Sequence, residues 1–328
     1  MHQTILNCVI CFFFNEVFLF FKQCLGNSGF LAGMKEMLTL FAEWARGCWK
    51  VCWKALKVFL VALKALLRTL KVLLRALKVF LQAAVDLLLP RTCIVCGCRL
   101  NLQERHLCLH CLMEMPLTYF WQQPHNPMAD RFNDLMQKDI GERKEVYAYA
   151  AALFVYRGDA PFKKIPYHIK YQGDISAGRY FGEMLGRKLV SCPHFKDVGI
   201  IIPVPLHRLR RLKRGYNQAE VIAEGLASAM GVPVRTDLLV RRKKTATQTR
   251  LNLEEKAANV KGAFEAVAEQ VQALMEVEVG AEAVTHVLLV DDVFTTGSTA
   301  LACYIALRAV LPPDVRISVA TLGAVGRA

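Results

Sequence analysis

The sequence predicts an α/β fold: a mainly parallel sheet flanked by helices, preceded by a small cysteine-rich module and an N-terminal amphipathic helical extension. Three observations support this prediction. After residue 146, short apolar segments alternate with segments whose apolar residues have helical spacing. Two C-x-x-C pairs lie between residues 93 and 111. Within residues 44–89, Lys and Arg recur at helical intervals in an otherwise apolar stretch.

Composition favours anionic partners and argues against a secreted disulfide protein. The chain has 328 residues, a net charge of +14 and 12 cysteines. Residues 1–89 hold 11 basic and 4 acidic residues, a net of +7, so residues 90–328 carry the other +7. Lipid, nucleic acid and phosphate all fit this charge. Four cysteines form the two pairs and most others lie in apolar stretches, which indicates a reduced, cytoplasmic chain with one metal site.

Residues 1–43 form a hydrophobic lead that resembles neither a signal peptide nor a good membrane span. Its apolar segment, residues 5–21, is interrupted by Asn7, Asn15 and Glu16. No basic residues precede this segment and no cleavage site follows it, which argues against a signal peptide. It is also short for a span. Met34 is an alternative start of the protein.

Residues 44–89 are predicted to form a cationic amphipathic helix. The helix has one narrow basic stripe, formed by Lys and Arg at positions 50, 54, 57, 64, 68, 71, 75 and 78. In one interpretation it lies peripherally in an inner-membrane interface, with Trp44, Trp49 and Trp53 at the boundary. In the other it packs against partner helices. The narrow polar stripe favours the membrane surface.

The two C-x-x-C pairs predict a zinc-ribbon-like module over residues 90–115. Four thiolates with this spacing suit tetrahedral Zn²⁺. The predicted ligands are Cys93, Cys96, Cys108 and Cys111. A closed four-thiolate site has no open position for water, so its predicted role is structural. Cys98, His106 and His110 are nearby but are not predicted ligands. Residues 116–145, with three prolines, are predicted to be a linker to the main domain, residues 146–328.

The main domain is predicted from its alternating segments. Strands are expected within 146–156, 197–206, 285–297 and 316–325, and helices within 175–190, 217–230 and 298–311. In a parallel sheet, ligands collect at the carboxyl ends of the strands. Asp291 and Asp292 lie at that end of a buried strand.

The residues that follow the two aspartates indicate a phosphate site. The loop consists of Thr295, Thr296, Gly297, Ser298 and Thr299. Its position at a helix N-terminus provides free backbone N–H groups, and its hydroxyls add donors. The two carboxylates can accept hydrogen bonds from vicinal hydroxyls, so a ribose 5-phosphate fits both halves. We therefore expect Asp291 and Asp292 to face a ligand rather than the core.

This stretch resembles the phosphoribosyl pyrophosphate (PRPP) motif of type I phosphoribosyltransferases. Together with "PVPLHRLRRLKRGYNQAEVIAEGL", "RRKKTATQTRLNLEEKAANVKGAF" and the four-cysteine module, it resembles the ComF family of competence-associated, phosphoribosyltransferase-like proteins. Four motifs occur in order over roughly residues 88–325. Residues 1–87 fall outside the resemblance.

The resemblance implies a role for each motif. Asp291 and Asp292 would hold the ribose hydroxyls and residues 295–299 the 5-phosphate. The turn that would face the diphosphate, with its Mg²⁺, is Pro203, Val204 and Pro205. No residue is assigned a catalytic role, but the candidate stabilisers of the leaving group are Arg208, Arg210 and Arg214, within a cationic run that includes Arg211 and Lys213. The same run also suits a solvated face or a nucleic-acid patch.

A second motif is implied to form a mobile hood over the site. Thr245, Gln248 and Asn259 match the family pattern, whereas Lys256 replaces the more usual arginine and loses its bidentate geometry.

The resemblance implies a role in DNA uptake and natural competence, and two hypotheses follow from it. In the first, the chain transfers phosphoribosyl from PRPP to an acceptor that the sequence does not identify. In the second, it is a non-catalytic PRPP-sensing or single-stranded-DNA-binding module, with Tyr216 beside the basic run, that acts with other DNA-uptake proteins.

Overall fold

A computed structural model describes residues 28–88, 90–140, 145–242, 262–275 and 284–325. The chain divides after Gln82 into two compact units. Helix α1, Ser28–Leu88, makes up the described part of the first unit and continues into the second. It covers the predicted helix as far as Leu88 and begins earlier, because Leu, Met, Ala, Lys and Glu, all good helix formers, make up most of residues 30–43. Across the described residues, no helix combines the length and the apolar character needed to cross a membrane.

The second unit begins with the cysteine-rich module and two helices. Helix α2, Leu109–Met113, carries the second cysteine pair, and helix α3, Pro127–Ile140, lies within the segment predicted as a linker. Asn126 caps α3 by accepting hydrogen bonds from the backbone of Met128 and Ala129. Phe132 of α3 is fully buried. Much of residues 116–145 therefore packs into the folded domain.

The remaining helices and strands alternate along the chain. The strands are β1 (Ala150–Tyr156), β2 (Ile200–Pro203), β3 (Leu239–Arg241), β4 (Phe264–Ala266), β5 (His286–Phe294) and β6 (Arg316–Val325). The helices are α4 (Lys164–Tyr171), α5 (Ile175–Val190), α6 (Arg208–Arg214), α7 (Gln218–Met230), α8 (Ala268–Met275) and α9 (Ser298–Arg308). Short 3-10 turns occupy Phe120–Gln122 and Pro161–Lys163.

The main sheet is parallel throughout and has the order β1-β6-β5-β2. Strand β5 therefore lies inside the sheet, between β6 and β2. Strands β3 and β4 form a separate antiparallel pair. This arrangement, with helices flanking a mainly parallel sheet, confirms the predicted fold class.

Apolar side chains cover both faces of the sheet. Alternate residues of β5 point to opposite sides, so Leu288 and Val290 join one buried cluster while Val287 and Leu289 join the other. Helices α4, α5 and α7 and the cysteine-rich module contribute to the first cluster, and α3, α8 and α9 to the second. Burial on both faces explains why β5 reads as a continuous apolar run that ends at the two aspartates.

Candidate functional site

The four predicted cysteine ligands converge on one point. The sulfur atoms of Cys93, Cys96, Cys108 and Cys111 all lie within 4.8 Å of one another. Tetrahedral zinc with Zn–S bonds of about 2.3 Å holds its sulfurs about 3.8 Å apart, so the set fits such an ion. This group could hold a metal ion such as zinc.

Local backbone structure positions the thiols. The first pair lies in a tight turn in which the Gly97 N–H donates to the Cys93 carbonyl and Gly97 has a φ of +78°. The second pair surrounds the start of α2, where Cys108 is the N-cap and its sulfur accepts from the Cys111 N–H. Glu104 accepts from the backbone N–H groups of Asn101 and Leu109, which ties the connecting loop to α2.

Two side chains beside the thiols have other contacts. The Cys98 sulfur lies 3.3 Å from that of Cys96 but is not one of the four converging atoms. His106 lies 3.6 Å from the Asp174 carboxylate, and its ring packs on Tyr180. Burial opposes the ionisation of Asp174, but hydrogen bonds from His106, Ala177 and Ser176 lower its pKa to about 2. His106 thus helps to attach the cysteine-rich module to α5.

The carboxyl ends of β2 and β5 lie side by side. Pro203 is in register with Val290, and the Val204 N–H donates to the Val290 carbonyl over 2.8 Å. Asn217, the buried N-cap of α7, donates from its amide to the Val204 carbonyl over 3.0 Å. The predicted diphosphate turn, residues 203–205, is therefore held next to β5, the strand that carries Asp291.

The hydroxyl-rich loop turns sharply into helix α9. Gly297 is the N-cap of α9 and has a φ of +85°. The positive φ favours glycine, and a Cβ atom at this position would lie 2.7 Å from the Phe294 ring and 2.8 Å from the Leu135 side chain, so both would have to shift. The Thr296 and Ser298 hydroxyls lie 2.9 Å apart, and Arg131 of α3 donates to the Thr296 carbonyl. Helix α3, missed from the sequence, thus supports the loop.

The turn, the first aspartate and the loop enclose a single small cavity. Its volume is about 20 Å³, room for one water molecule. The polar lining comes mainly from Asp291, Thr295, Thr299 and Thr321, with Val204 on the β2 side. Val204 therefore meets Asp291, which lies 87 positions further along the sequence.

The two aspartates have different surroundings. Asp291 is partly buried at the cavity, whereas Asp292 is only 4% exposed and forms an ion pair with the ammonium group of Lys170 on α4. This differs from the expectation that both carboxylates face a ligand. Sequence reasoning missed Lys170, because it lies far from the motif and in a helix that carried no recognised signal.

Burial and charge set the pKa values of this group. Burial, together with the adjacent Asp292 carboxylate, raises the pKa of Asp291 to about 7. Burial acts against the charge of Lys170, but the Asp292 carboxylate prevails and raises the pKa of Lys170 above its usual value. The site thus holds two adjacent acids beside the partly buried ammonium group of Lys170, and the charge of Asp291 is the less compensated of the two.

The candidate leaving-group residues lie on α6, directly after the 203–205 turn. Arg208 is exposed, while Arg210 and Arg214 are partly covered. Arg214 donates to the Gln218 side chain. Burial, followed by the nearby charge of Arg210, lowers the pKa of Arg241 at the end of β3, and Asp291 acts on Arg241 in the opposite sense. Arg241 therefore lies within electrostatic range of both Arg210 and Asp291.

The predicted hood residues, Thr245, Gln248, Lys256 and Asn259, lie outside the described residues.

Comparisons with known proteins agree with the resemblance found in the sequence. No family model matches the chain. Over 99 residues, 30% of this chain, it is 37% identical to Competence protein F of Haemophilus influenzae and 35% identical to DNA utilization protein YhgH of Salmonella typhimurium. The matched stretch spans 39% and 38% of those relatives, respectively. These names confirm the resemblance of this chain to ComF-type proteins.

Proposed function

We propose that this chain acts in DNA uptake as a ComF-type protein and that its α/β domain binds PRPP with Mg²⁺ at the carboxyl end of β5. One observation carries the proposal. The pairing of β2 with β5 brings Val204 of the 203–205 turn, Asp291 and the 295–299 loop together at one edge of the sheet. A ribose phosphate offers the hydroxyls and the anionic group that these three elements suit.

Each element has a defined part in this binding. The N–H groups and hydroxyls at the start of α9 would hold the 5-phosphate, and Asp291 would accept a hydrogen bond from a ribose hydroxyl. Asp292 can take a second hydroxyl only where Lys170 shares or leaves its carboxylate. Mg²⁺ would enter with the diphosphate and neutralise part of its charge.

The same arrangement supports phosphoribosyl transfer to an acceptor. In that reaction the bond from ribose C1 to the diphosphate breaks, a bond to the acceptor nucleophile forms, and pyrophosphate leaves. The chain would contribute mainly position and charge: the aspartates and the loop fix the sugar, and Arg208, Arg210 and Arg214 stabilise the leaving diphosphate.

Calorimetric titration of the zinc-loaded full chain with Mg²⁺ and PRPP tests the binding. Asp291→Asn should weaken the affinity about 10- to 100-fold, because a hydrogen bond to a charged acceptor contributes about 1.5–3 kcal/mol. The matched control is Asp314→Asn, an exposed aspartate after α9, which should bind like wild type. Equal affinity for all three proteins, or no binding by any, would contradict the proposed site. Pyrophosphate release on adding candidate acceptors separates an enzyme from a sensor.

A second function, binding of single-stranded DNA, is favoured by a separate surface. Tyr167 and Tyr171 on α4 are exposed, and their ring centroids lie 5.0 Å apart. The Arg214 guanidinium lies 5.4 Å from the Tyr171 ring, so the basic helix α6 borders two available aromatic faces. Base stacking on aromatics beside cationic groups is the usual basis of such binding.

Tyr216 does not have this role. Its ring is partly buried and its hydroxyl donates to the Ile169 carbonyl, so it anchors α4.

Fluorescence anisotropy with a labelled oligothymidine tests the DNA surface. Tyr171→Ala should weaken binding about 5- to 100-fold, since stacking contributes about 1–3 kcal/mol per base. Arg211→Gln should weaken binding and flatten its salt dependence by about one counterion. Exposed Tyr119, which lies apart from α6 in the sequence, provides the control Tyr119→Ala. Loss of binding in Tyr119→Ala but not in Tyr171→Ala would overturn this assignment.

A further inference from the structure

Helix α1 has a charge pattern that no part of the proposed PRPP site uses. Residues 48–81 contain eight Lys or Arg and no Asp or Glu, and Thr69 is their one uncharged hydroxyl residue. At 3.6 residues per turn, the eight basic positions fall within an arc of about 120°. The α-helical geometry of this segment therefore gathers all its cations on one side.

The other side of the same segment is apolar and exposed. Large side chains opposite the basic stripe are open to solvent: 62% for Phe59, 63% for Leu66, 65% for Leu73 and 53% for Leu77. Single exposed apolar residues are ordinary, but a continuous face along about 50 Å of helix is not. A face of this size needs a covering surface.

The distribution of charge identifies the kind of surface. Positive residues without any acidic residue nearby suit an anionic partner. A lipid surface is the anionic partner that also offers an apolar layer to cover the other face of the helix. A two-stranded coiled coil would cover a narrow apolar seam flanked by charges of both signs, whereas here two thirds of the circumference is apolar and every charge is positive.

Two tryptophans add a second, independent observation. Trp49 and Trp53 are 47% and 48% exposed, with ring centroids 6.1 Å apart, and the Lys57 ammonium lies 5.6 Å from the Trp53 ring. Exposed indoles beside lysines are typical of residues at the headgroup level of a bilayer. Uncharged gaps within the stripe reach six residues, far fewer than a membrane-spanning helix needs.

We propose that residues 44–85 of α1 are a membrane-surface anchor that lies in the headgroup region of an anionic bilayer. The basic stripe faces the lipid phosphates and the aqueous boundary, and the apolar face enters the upper acyl region. The anchor attaches the whole chain to the lipid surface and is independent of what the α/β domain binds.

Flotation of the full chain with vesicles tests this anchor. The protein should float with vesicles of phosphatidylcholine and phosphatidylglycerol, float much less with phosphatidylcholine alone, and be released by salt. The charge variant changes Lys64, Arg68, Lys71 and Arg75 to Gln and should lower partitioning at least about 100-fold, because each basic residue near an anionic surface contributes roughly fivefold. Far-UV circular dichroism checks that its helix content is unchanged.

Two further variants make the result specific. A matched control changes Arg179, Arg187, Lys188 and Lys196, four exposed cations of the α/β domain, to Gln and should float like wild type. Arg68→Lys with Arg75→Lys keeps the charge and should also float. The proposal is overturned if the control loses flotation as much as the α1 variant does. It is equally overturned if anionic and neutral vesicles bind alike, or if the chain ignores vesicles and self-associates through α1 in sedimentation equilibrium.

Discussion

The cysteine cluster brings four thiols together, and the carboxylate site brings two acids and a lysine together. The two sites are assembled in different ways. All four thiols come from one stretch of nineteen residues, 93 to 111, shaped by a turn and a helix start. The carboxylate site instead draws Lys170 from α4, Val204 from the turn after β2 and Arg131 from α3 to the end of β5. The first is organised by local structure and could hold a metal ion. The second exists only when the whole sheet has formed.

The largest expected effect lies at the cysteine cluster. Cys93→Ser should abolish stoichiometric zinc and destabilise residues 90–115 by on the order of 5 kcal/mol, because binding of a structural zinc contributes about 10–16 kcal/mol and the segment has little core of its own. Elemental analysis measures the zinc, and limited proteolysis measures the local unfolding. The PRPP affinity of the α/β domain should change little.

Cys98→Ser is the matched control for this experiment. Its sulfur lies 3.3 Å from Cys96 but outside the four converging atoms, so its loss should leave the zinc in place. Full zinc in Cys93→Ser, or loss of zinc in Cys98→Ser, would show that the ligand set is wrong.

The next largest effect is expected at the ion pair under the carboxylate site. Lys170→Met leaves the buried Asp292 without its counter-ion, so the free energy of unfolding should fall by about 2–3 kcal/mol at pH 7; the Lys170 side chain is 28% exposed, which keeps the effect below that of a fully buried pair. Urea denaturation monitored by circular dichroism measures this change.

Two companion variants separate charge from packing at the same position. Lys170→Arg keeps the charge and should lose less than half as much stability. Lys170→Met combined with Asp292→Leu removes both charges and should recover most of the loss. A double variant as unstable as Lys170→Met alone would mean that the lysine stem, rather than its charge, stabilises this region.

This comparison also explains how much could be predicted from the sequence. Motifs within a short stretch were accessible: the four cysteines, the aspartate–hydroxyl run and the helix 175–190, which the structure reproduces as α5. Strand order and the Lys170–Asp292 pair could not be predicted from the sequence, because both depend on tertiary packing. The two residues of the ion pair lie 122 positions apart.

Helix α3 was not predicted, although the local sequence contained a signal for it. Prolines and polar residues in 116–145 suggested a linker, yet Met128, Phe132 and Met136 follow a four-residue repeat and are all buried. That spacing is typical of a helix with one apolar face. A helix that supports the 295–299 loop through Arg131 was therefore hidden by the composition of the whole segment.

The smallest expected effect is at Asp291, where substitution should raise the stability of the fold rather than lower it. This effect bears most directly on function. Asp291 has a pKa of about 7 in the folded protein and 3.8 as its ordinary value. Between about pH 4 and 7 the folded state keeps a proton that the unfolded state has lost, so stability falls as the pH rises through this window and stays lowered above it. Asp291→Asn removes this ionisation and keeps the side-chain oxygen that accepts from the Asp292 N–H.

Asp291→Asn should therefore match wild type near pH 4 and be about 1–2 kcal/mol more stable at pH 8, less than the full linkage value because Asp291 is only partly buried. Urea denaturation from pH 4 to 8 measures the difference in unfolding free energy between variant and wild type. For the control Asp314→Asn this difference should not change with pH. A flat difference for Asp291→Asn would mean that its carboxylate is well compensated in the fold. A difference that rises with pH would mean that the chain keeps an acid which destabilises its fold. The predicted cysteine ligands, in contrast, are expected to stabilise it. An acid retained against folding stability, beside a hydroxyl-rich loop at a helix N-terminus, is expected where the residue serves a ligand instead.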